Sequence, residues 1–387
     1  MIRVNAIAKQ LFWLSGFVFL GFTMLNSCNE SESETETKKT EKRIKRENAA
    51  VDTLGIIRGN SQYQYVGKAG QLVVVSDNTI FTKEIDSLFS IFFGAFIEPY
   101  YPAFPKFELR HISPEKFEKG NKRLRSIVEL NLDDKLNEGK PELRIKKDMY
   151  AKHQIIAEFR ANNMNDLLLI IEQESPRLVE LFESLEWKRE YHRFKKDNNT
   201  VLKSALREQF GITLELPKNA RYESVKSRFA KITFPDRSRQ MDFQSDGGYN
   251  SSKANFIQSG LMIWQLPFRD SSQLTHDYLM RARDTILKYN AFHEFPGVYM
   301  GTQDHPAVLP VSKQISIGGV NGFEFRGMYK FTGRLEPSGG KFWSFHFLHP
   351  KRNMIVAISG YLDAPPTMSP ALDMRKIQAA IYSLQLE

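Results

Sequence analysis

Apolar residues in this chain recur at two spacings, every second position and every third or fourth, and the two take turns from about Gly55 to Glu387. Gln71-Leu72-Val73-Val74-Val75 is a compact apolar run that predicts a buried strand, stopped by Ser76-Asp77-Asn78. Phe81 to Phe96 then carries Ile85, Leu88, Phe89, Phe92 and Phe93 at helical spacing. Pro99, Pro102 and Pro105 forbid regular structure until Phe107, and Phe107–Ile112, Ser126–Leu130 and His153–Phe159 predict further strands. A helix is expected over Asn165–Glu174, and a second from Ser175 with Pro176 in its first turn and Leu178, Leu181, Phe182 and Leu185 as its buried stripe.

A second series follows the helical stretch Thr200–Phe210, which Gly211 ends. Ile212–Leu216, Arg228–Phe234 and Phe256–Leu266 predict strands, and Leu274–Tyr289 a helix. Gln314–Ile317, Phe323–Phe331, Phe342–Leu348 and Met354–Tyr361 predict a run of strands turned at Gly318-Gly319, Gly339-Gly340 and Pro350. Ser369-Pro370 opens a closing helix with Met374, Ile377, Ile381 and Leu384. Both series run strand, helix, several strands and a helix begun by Ser-Pro. The expected class is α+β, in two halves (55–210 and 211–387), each an antiparallel sheet with helices packed on one face. Residues 175–210 would bridge them. A duplication and a single shared core both stay open, since no residue-level self-similarity is visible.

The first 54 residues differ from this body. Arg3 and Lys9 precede the apolar run Leu11–Leu25, which ends at Asn26-Ser27-Cys28, the only cysteine of the chain. A basic start, an apolar middle too short to span a bilayer and a small residue before the cut describe a secretory signal over 1–27. A cysteine just after the cut is what lipoprotein processing requires. Its thiol takes a diacylglycerol, cleavage precedes it, and Cys28 becomes a lipidated N-terminus. Removing 1–27 takes away two bases and no acid, which lowers the formal net charge from +9 to +7. Residues 29–50 hold Ile44 as an isolated apolar side chain among charges, and 28–54 is expected to be a disordered tether. Glu30, Glu32, Glu34 and Glu36 right behind the cysteine resemble the surface-export signal of Bacteroidetes lipoproteins. The expected place is the outer membrane, on its periplasmic side or at the cell surface, with the N-terminal lipid as the membrane contact.

Catalytic signatures are missing: no G-x-G-x-x-G, P-loop, H-E-x-x-H or G-x-S-x-G occurs. His346 and His349, three apart on a strand, should face opposite sides and cannot share a metal without a bend at Pro350. His305 is expected to make a loop hydrogen bond. Asp77 sits just after the first strand, where a functional acid or a turn former would sit. Asp133-Asp134 belongs to a polar loop. Trp187–Lys196 (WKREYHRFKK) is the strongest basic patch, and its cations spread around the helix axis as a solvated face would. Neither a cofactor nor a metal is expected, and nucleic acid is an implausible partner for an exported chain.

The last third suggests more. In the hairpin Phe323–Leu348, Phe323, Phe325 and Phe342 are candidates for one face, and Gly339-Gly340 for a turn that a Cβ would obstruct. Arg326 and Trp343 should then lie near one another, across the strand pair or one register apart, as packing partners or as the rim of a groove between the halves. Phe325-Arg326-Gly327-Met328-Tyr329, Gly339-Gly340-Lys341-Phe342-Trp343, the early GQLVVVSDN (70–78) and RSIVEL (125–130) together resemble the Bacteroidetes lipoproteins grouped as domain-of-unknown-function family 4837. The chain departs from the family's pattern at Lys341-Phe342, where Pro-Phe is usual. The resemblance covers most of the chain after the tether. It implies an envelope location and an architecture, and it supplies no catalytic residue. Two function classes follow. One is a non-catalytic binding or assembly module that takes an unknown envelope ligand or protein in a groove between its halves. The other is a glycan or peptide hydrolase or transferase working through loop carboxylates, which needs a close, buried carboxylate pair in a cleft.

Overall fold

The structure, a computed structural model, describes residues 56–387 apart from 245–249, 294 and 334–337, with backbone alone over 240–244 and 250–254. The expected signal segment, Cys28 and the tether lie outside the described residues. Strands β1 (Ile57–Arg58), β2 (Gln71–Val75), β3 (Glu108–Ile112), β4 (Ser126–Leu132), β5 (Glu142–Lys147) and β6 (Ile155–Ala161) build the first half with helices α1 (Lys83–Phe92) and α2 (Met164–Lys196). Helix α3 (Thr200–Phe210) leads into the second half. There lie β7 (Ile212–Thr213), β8 (Arg221–Lys226), β9 (Phe229–Thr233), β10 (Arg237–Gln244), β11 (Asn250–Pro267), β12 (Tyr299–Thr302), β13 (Val311–Ile317), β14 (Val320–Thr332), β15 (Gly339–His349), β16 (Met354–Asp363) and β17 (Gln385–Leu386). Helix α4 (His276–Asn290) precedes β12 and helix α5 (Ala371–Tyr382) precedes β17. The class is α+β.

The first sheet has the order β1-β5-β6-β4-β2-β3. β2 runs parallel to β3 and β4, β4 parallel to β6, and β1 parallel to β5; β5 and β6 are antiparallel. This corrects the expectation of an antiparallel sheet in this half. The reason is legible in the side chains. Leu72, Val73, Val74 and Val75 are all buried because both faces of β2 are covered, and unbroken apolar runs are the mark of parallel strands. Helix α1 supplies the crossover that a parallel β2–β3 pair needs. Both helices lie on one face, where Ile85, Phe89, Leu167, Ile171 and Phe182 pack on Leu72, Val128 and Phe159. The other face carries a small apolar patch of Val73, Ile127 and Ile156 under Phe117. Beyond it run ion pairs, Lys146 to Glu129 at 2.9 Å and to Glu158 at 3.1 Å, and Arg160 to Glu142 at 3.1 Å.

Helix α2 is continuous through Pro176, where two helices were expected. An internal proline costs about 3 kcal/mol. Leu167, Ile170, Ile171 before it and Leu178, Val179, Phe182 after it are all buried in one core, at about 1.5–3 kcal/mol each. Keeping both segments on the same core outweighs the lost hydrogen bond. Asn163 caps the start, its side chain accepting from the Asp166 backbone N–H, and α3 ends at Gly211 with φ of 70°.

The second sheet runs β12-β14-β15-β16-β11-β9-β8, with β10 on β11 and β13 on β14, antiparallel throughout. Helices cover both of its faces, correcting the expectation of one. On one side Met374, Ile377 and Ile381 of α5 and Leu206 and Phe210 of α3 meet Leu261, Ile263, Phe345 and Val356. On the other, Leu279 and Leu287 of α4 meet Met262, Trp264, Phe342 and Ala357. Nearly every residue of β15 is buried for that reason. Gly339 and Gly340 lie within β15 and make no turn. A Cβ at Gly339 would stand 2.0 Å from the Tyr329 carbonyl oxygen, and one at Gly340 2.3 Å from that of Leu362. Close strand approach demands these glycines.

Gly55–Glu387 forms one compact unit. β17 pairs with β7, so the C-terminal strand closes on the start of the second half. No helix among the described residues is long and apolar enough to cross a membrane.

Candidate functional site at the seam of the halves

The halves meet where the proline-rich segment after α1 lies over β15. The Phe104 carbonyl accepts the Ile97 backbone N–H at 3.1 Å, and Phe96 bridges Pro105. This folds the segment back so that Tyr100 and Phe104 stack at 5.8 Å. Tyr100 Oη donates to the Phe342 carbonyl across the seam at 3.0 Å. Burial holds its phenol neutral, well above the usual tyrosine range. One strand position further back, Lys341 is buried with its ammonium 5.8 Å from the Phe104 ring centroid and 3.4 Å from the Tyr101 carbonyl. Burial pulls that ammonium below the ordinary lysine range. Phe104, Glu108, Lys341 and the turn 364–370, with three prolines, enclose a cleft of about 270 Å³.

Beside it lies a buried polar group. Arg326 and Trp343 are directly opposed in the β14–β15 register, with the guanidinium 5.3 Å from the indole centroid. Tyr382 Oη donates to Glu324 at 2.7 Å, and Lys313 and Arg326 stand 3.5 and 3.9 Å from the other carboxylate oxygen. Trp187 of α2 meets the Tyr382 ring edge-on at 5.0 Å. The Trp343 indole N–H is buried without a hydrogen-bond partner among the described residues. Two turns earlier on the same face of α5, Arg375 donates to the Lys106 carbonyl and sits 3.7 Å from Glu183.

The remaining sequence candidates are scattered. Asp77 is exposed, and its carbonyl accepts the backbone N–H groups of Ile80 and Phe81, as a turn former does. His346 and His349 face opposite sides of β15. His346 lies against Trp264 and Phe325, and His349 beside the Gly211 carbonyl. Burial drives the His346 imidazole down to about 3, so it is neutral. His305 Nδ1 accepts the Ala307 backbone N–H. Asp133 pairs with Arg160.

Sequence reading missed what the basic patch conceals. Lys188, Arg193 and Lys196 are exposed, but Arg189 points inward. Arg125 and Arg189 clasp the fully buried Glu186, which also accepts the Gly70 backbone N–H at 3.0 Å, and both guanidinium groups lie over Tyr65. The signal was the spacing of three between Arg189 of the patch and Glu186 just before it. The seam aromatics were also missed. Their signal was Tyr100, Tyr101 and Phe104 set among prolines too closely spaced for a flexible loop.

Each buried carboxylate among the described residues has a cationic neighbour. Glu186 has Arg125 and Arg189, Glu190 has Arg193, Glu215 has Lys203, Glu324 has Lys313, and Asp373 has Arg237 and Lys376. Burial nevertheless raises the Glu190 carboxyl above its usual range.

Residues 66–195 match a domain of unknown function, DUF8532, and residues 199–383 match another, DUF4837. The resemblance to the 4837 family therefore holds for the second half. Its expected extension to GQLVVVSDN and RSIVEL is corrected, because both lie in the DUF8532 segment. No curated protein matches the sequence. Among solved structures, the crystal structure of LpqN involved in cell envelope biogenesis of Mycobacterium tuberculosis aligns at 13% identity over 45% of this chain and 82% of that chain. Its TM-score of 0.25 is too low to carry an argument. Residues 199–383, which hold the seam strands β14 and β15 and helix α5, are thus similar to the DUF4837 family.

Proposed function

We propose that this is a lipid-anchored protein of the cell envelope, held in the outer membrane through Cys28, that binds an envelope ligand or protein in its seam cleft without transforming it. The location rests on the signal segment, the position of Cys28 and the charged stretch behind it. The binding role rests on one observation: buried carboxylates are engaged by cations, and the cleft lining holds a single acid, the exposed Glu108. Glycoside hydrolysis needs two carboxylates across one bond. An aromatic wall, prolines and a buried ammonium make a recognition surface for an extended or carbonyl-rich ligand.

Complementation of a deletion strain tests this. Full-length Phe104→Leu and Lys341→Met should fail to rescue its envelope defect while remaining folded at wild-type level. Glu108→Gln and Asp77→Asn should rescue fully. Rescue by the first pair and failure by the second would support the hydrolase class instead.

A further inference from the structure

We infer that a second site, at the end of the first sheet, takes the phosphate-bearing headgroup of an anionic membrane lipid. It is a pocket of about 670 Å³ between the segment following β1 and the loops that precede β4 and β6. Its lining contains Lys119, Lys122 and Arg123 and no carboxylate. None of these three cations has an ion-pair partner among the described residues. Tyr63, 67% exposed, and Tyr150 form aromatic walls; Arg123 lies 5.6 Å over the first ring and Lys122 5.7 Å over the second. Aromatic rings with a polar tip, flanked by lysine and arginine, suit the headgroup level of a bilayer.

The walls are held from within. Gln154, buried, donates to the Lys122 and Leu124 carbonyls at 2.6 and 2.7 Å and accepts the Tyr150 backbone N–H at 3.0 Å. The Tyr63 carbonyl accepts the Lys152 backbone N–H at 2.8 Å, and Val66 donates to the Arg123 carbonyl at 2.9 Å. The site is thus preorganised, so binding orders little.

Position argues for the membrane. The described chain starts at Ile56, four residues before Asn60 of the lining, so this end of the body is the one nearest Cys28 along the chain. In that respect the inference rests on the lipoprotein reading, while the chemistry of the pocket stands without it. Docking here would fix the orientation of a body otherwise held only by its N-terminus.

Vesicle co-sedimentation of the mature chain carrying Cys28→Ser separates the two, since no lipid is attached. Binding to phosphatidylcholine vesicles containing phosphatidylglycerol is expected, with none to phosphatidylcholine alone. Lys119→Gln/Lys122→Gln/Arg123→Gln should weaken it roughly a hundredfold, at about fivefold for each cation near an anionic surface. Tyr63→Ala, at an exposed position, should weaken it several-fold and serves if the triple variant fails to fold. Unchanged sedimentation of either variant would overturn the inference and leave the basic residues of 38–46 as the binding element. Displacement by millimolar glycerol phosphate would also overturn it, assigning the pocket to a soluble phosphate.

Discussion

Arg326 is 26% exposed and spans from the Trp343 indole to Glu324, so its side chain links one aromatic and one acid of the seam. Its removal should cost about 1 kcal/mol, read as a matching fall in denaturation midpoint for Arg326→Ala. A variant of unchanged stability that fails in complementation would make Arg326 a ligand-binding residue instead. His346 carries a pH signature. Its folded form resists protonation until about pH 3, whereas an unfolded histidine protonates near pH 6.5. Between those values the unfolded chain binds the extra proton, so stability falls as pH drops through this window and is fully present above it. The loss should reach roughly 2 kcal/mol at pH 5 relative to pH 8. Comparing wild type with His346→Gln by urea denaturation at both pH values isolates it; equal pH dependence in the two proteins would contradict a buried neutral imidazole. Alternation made the shared face of Arg326 and Trp343 legible but left their register open, since the turn expected at Gly339-Gly340 lies inside β15. Lys341 and Phe104 were not legible, since nothing local relates a residue of the first half to a strand of the second.

Among the elements, strands buried on both faces, such as β2, β15 and β16, were easiest to place, and helices α1, α3, α4 and α5 appear close to their expected bounds. β5 escaped because Glu-Leu-Arg-Ile-Lys-Lys has little apolar content; its Lys146 is satisfied by Glu129 and Glu158 of neighbouring strands, a long-range fact. The strand direction of the first half was misjudged although its evidence, unbroken valine and isoleucine runs, stood in the sequence. Pro176 is the element-scale test. Its ring denies α2 a backbone hydrogen bond that burial elsewhere outweighs, so Pro176→Ala should stabilise the protein by about 1–3 kcal/mol. A fall in melting temperature would show instead that the helix needs the bend.

For the whole molecule, the sequence predicts two α+β halves with a helical bridge; in the structure α2 packs in the core of the first sheet and α3 on the second. The proline-rich segment of the first half reaches over β15, and α2 packs Trp187 on α5. That seam supplies the cleft, while the far end of the first sheet presents a basic, tyrosine-walled pocket near where the body begins. Both proposals have a folded body beside a membrane, and the proposed attachment is through Cys28. Intact-mass spectrometry of the full-length protein, extracted from membranes of the producing cell, measures that attachment directly. The account predicts a polypeptide that starts at Cys28 and carries the added mass of a diacylglycerol, and it predicts that Cys28→Ser abolishes both the added mass and membrane fractionation. A membrane-bound protein with an intact N-terminus from Met1, or one cleaved elsewhere and unacylated at Cys28, would contradict it.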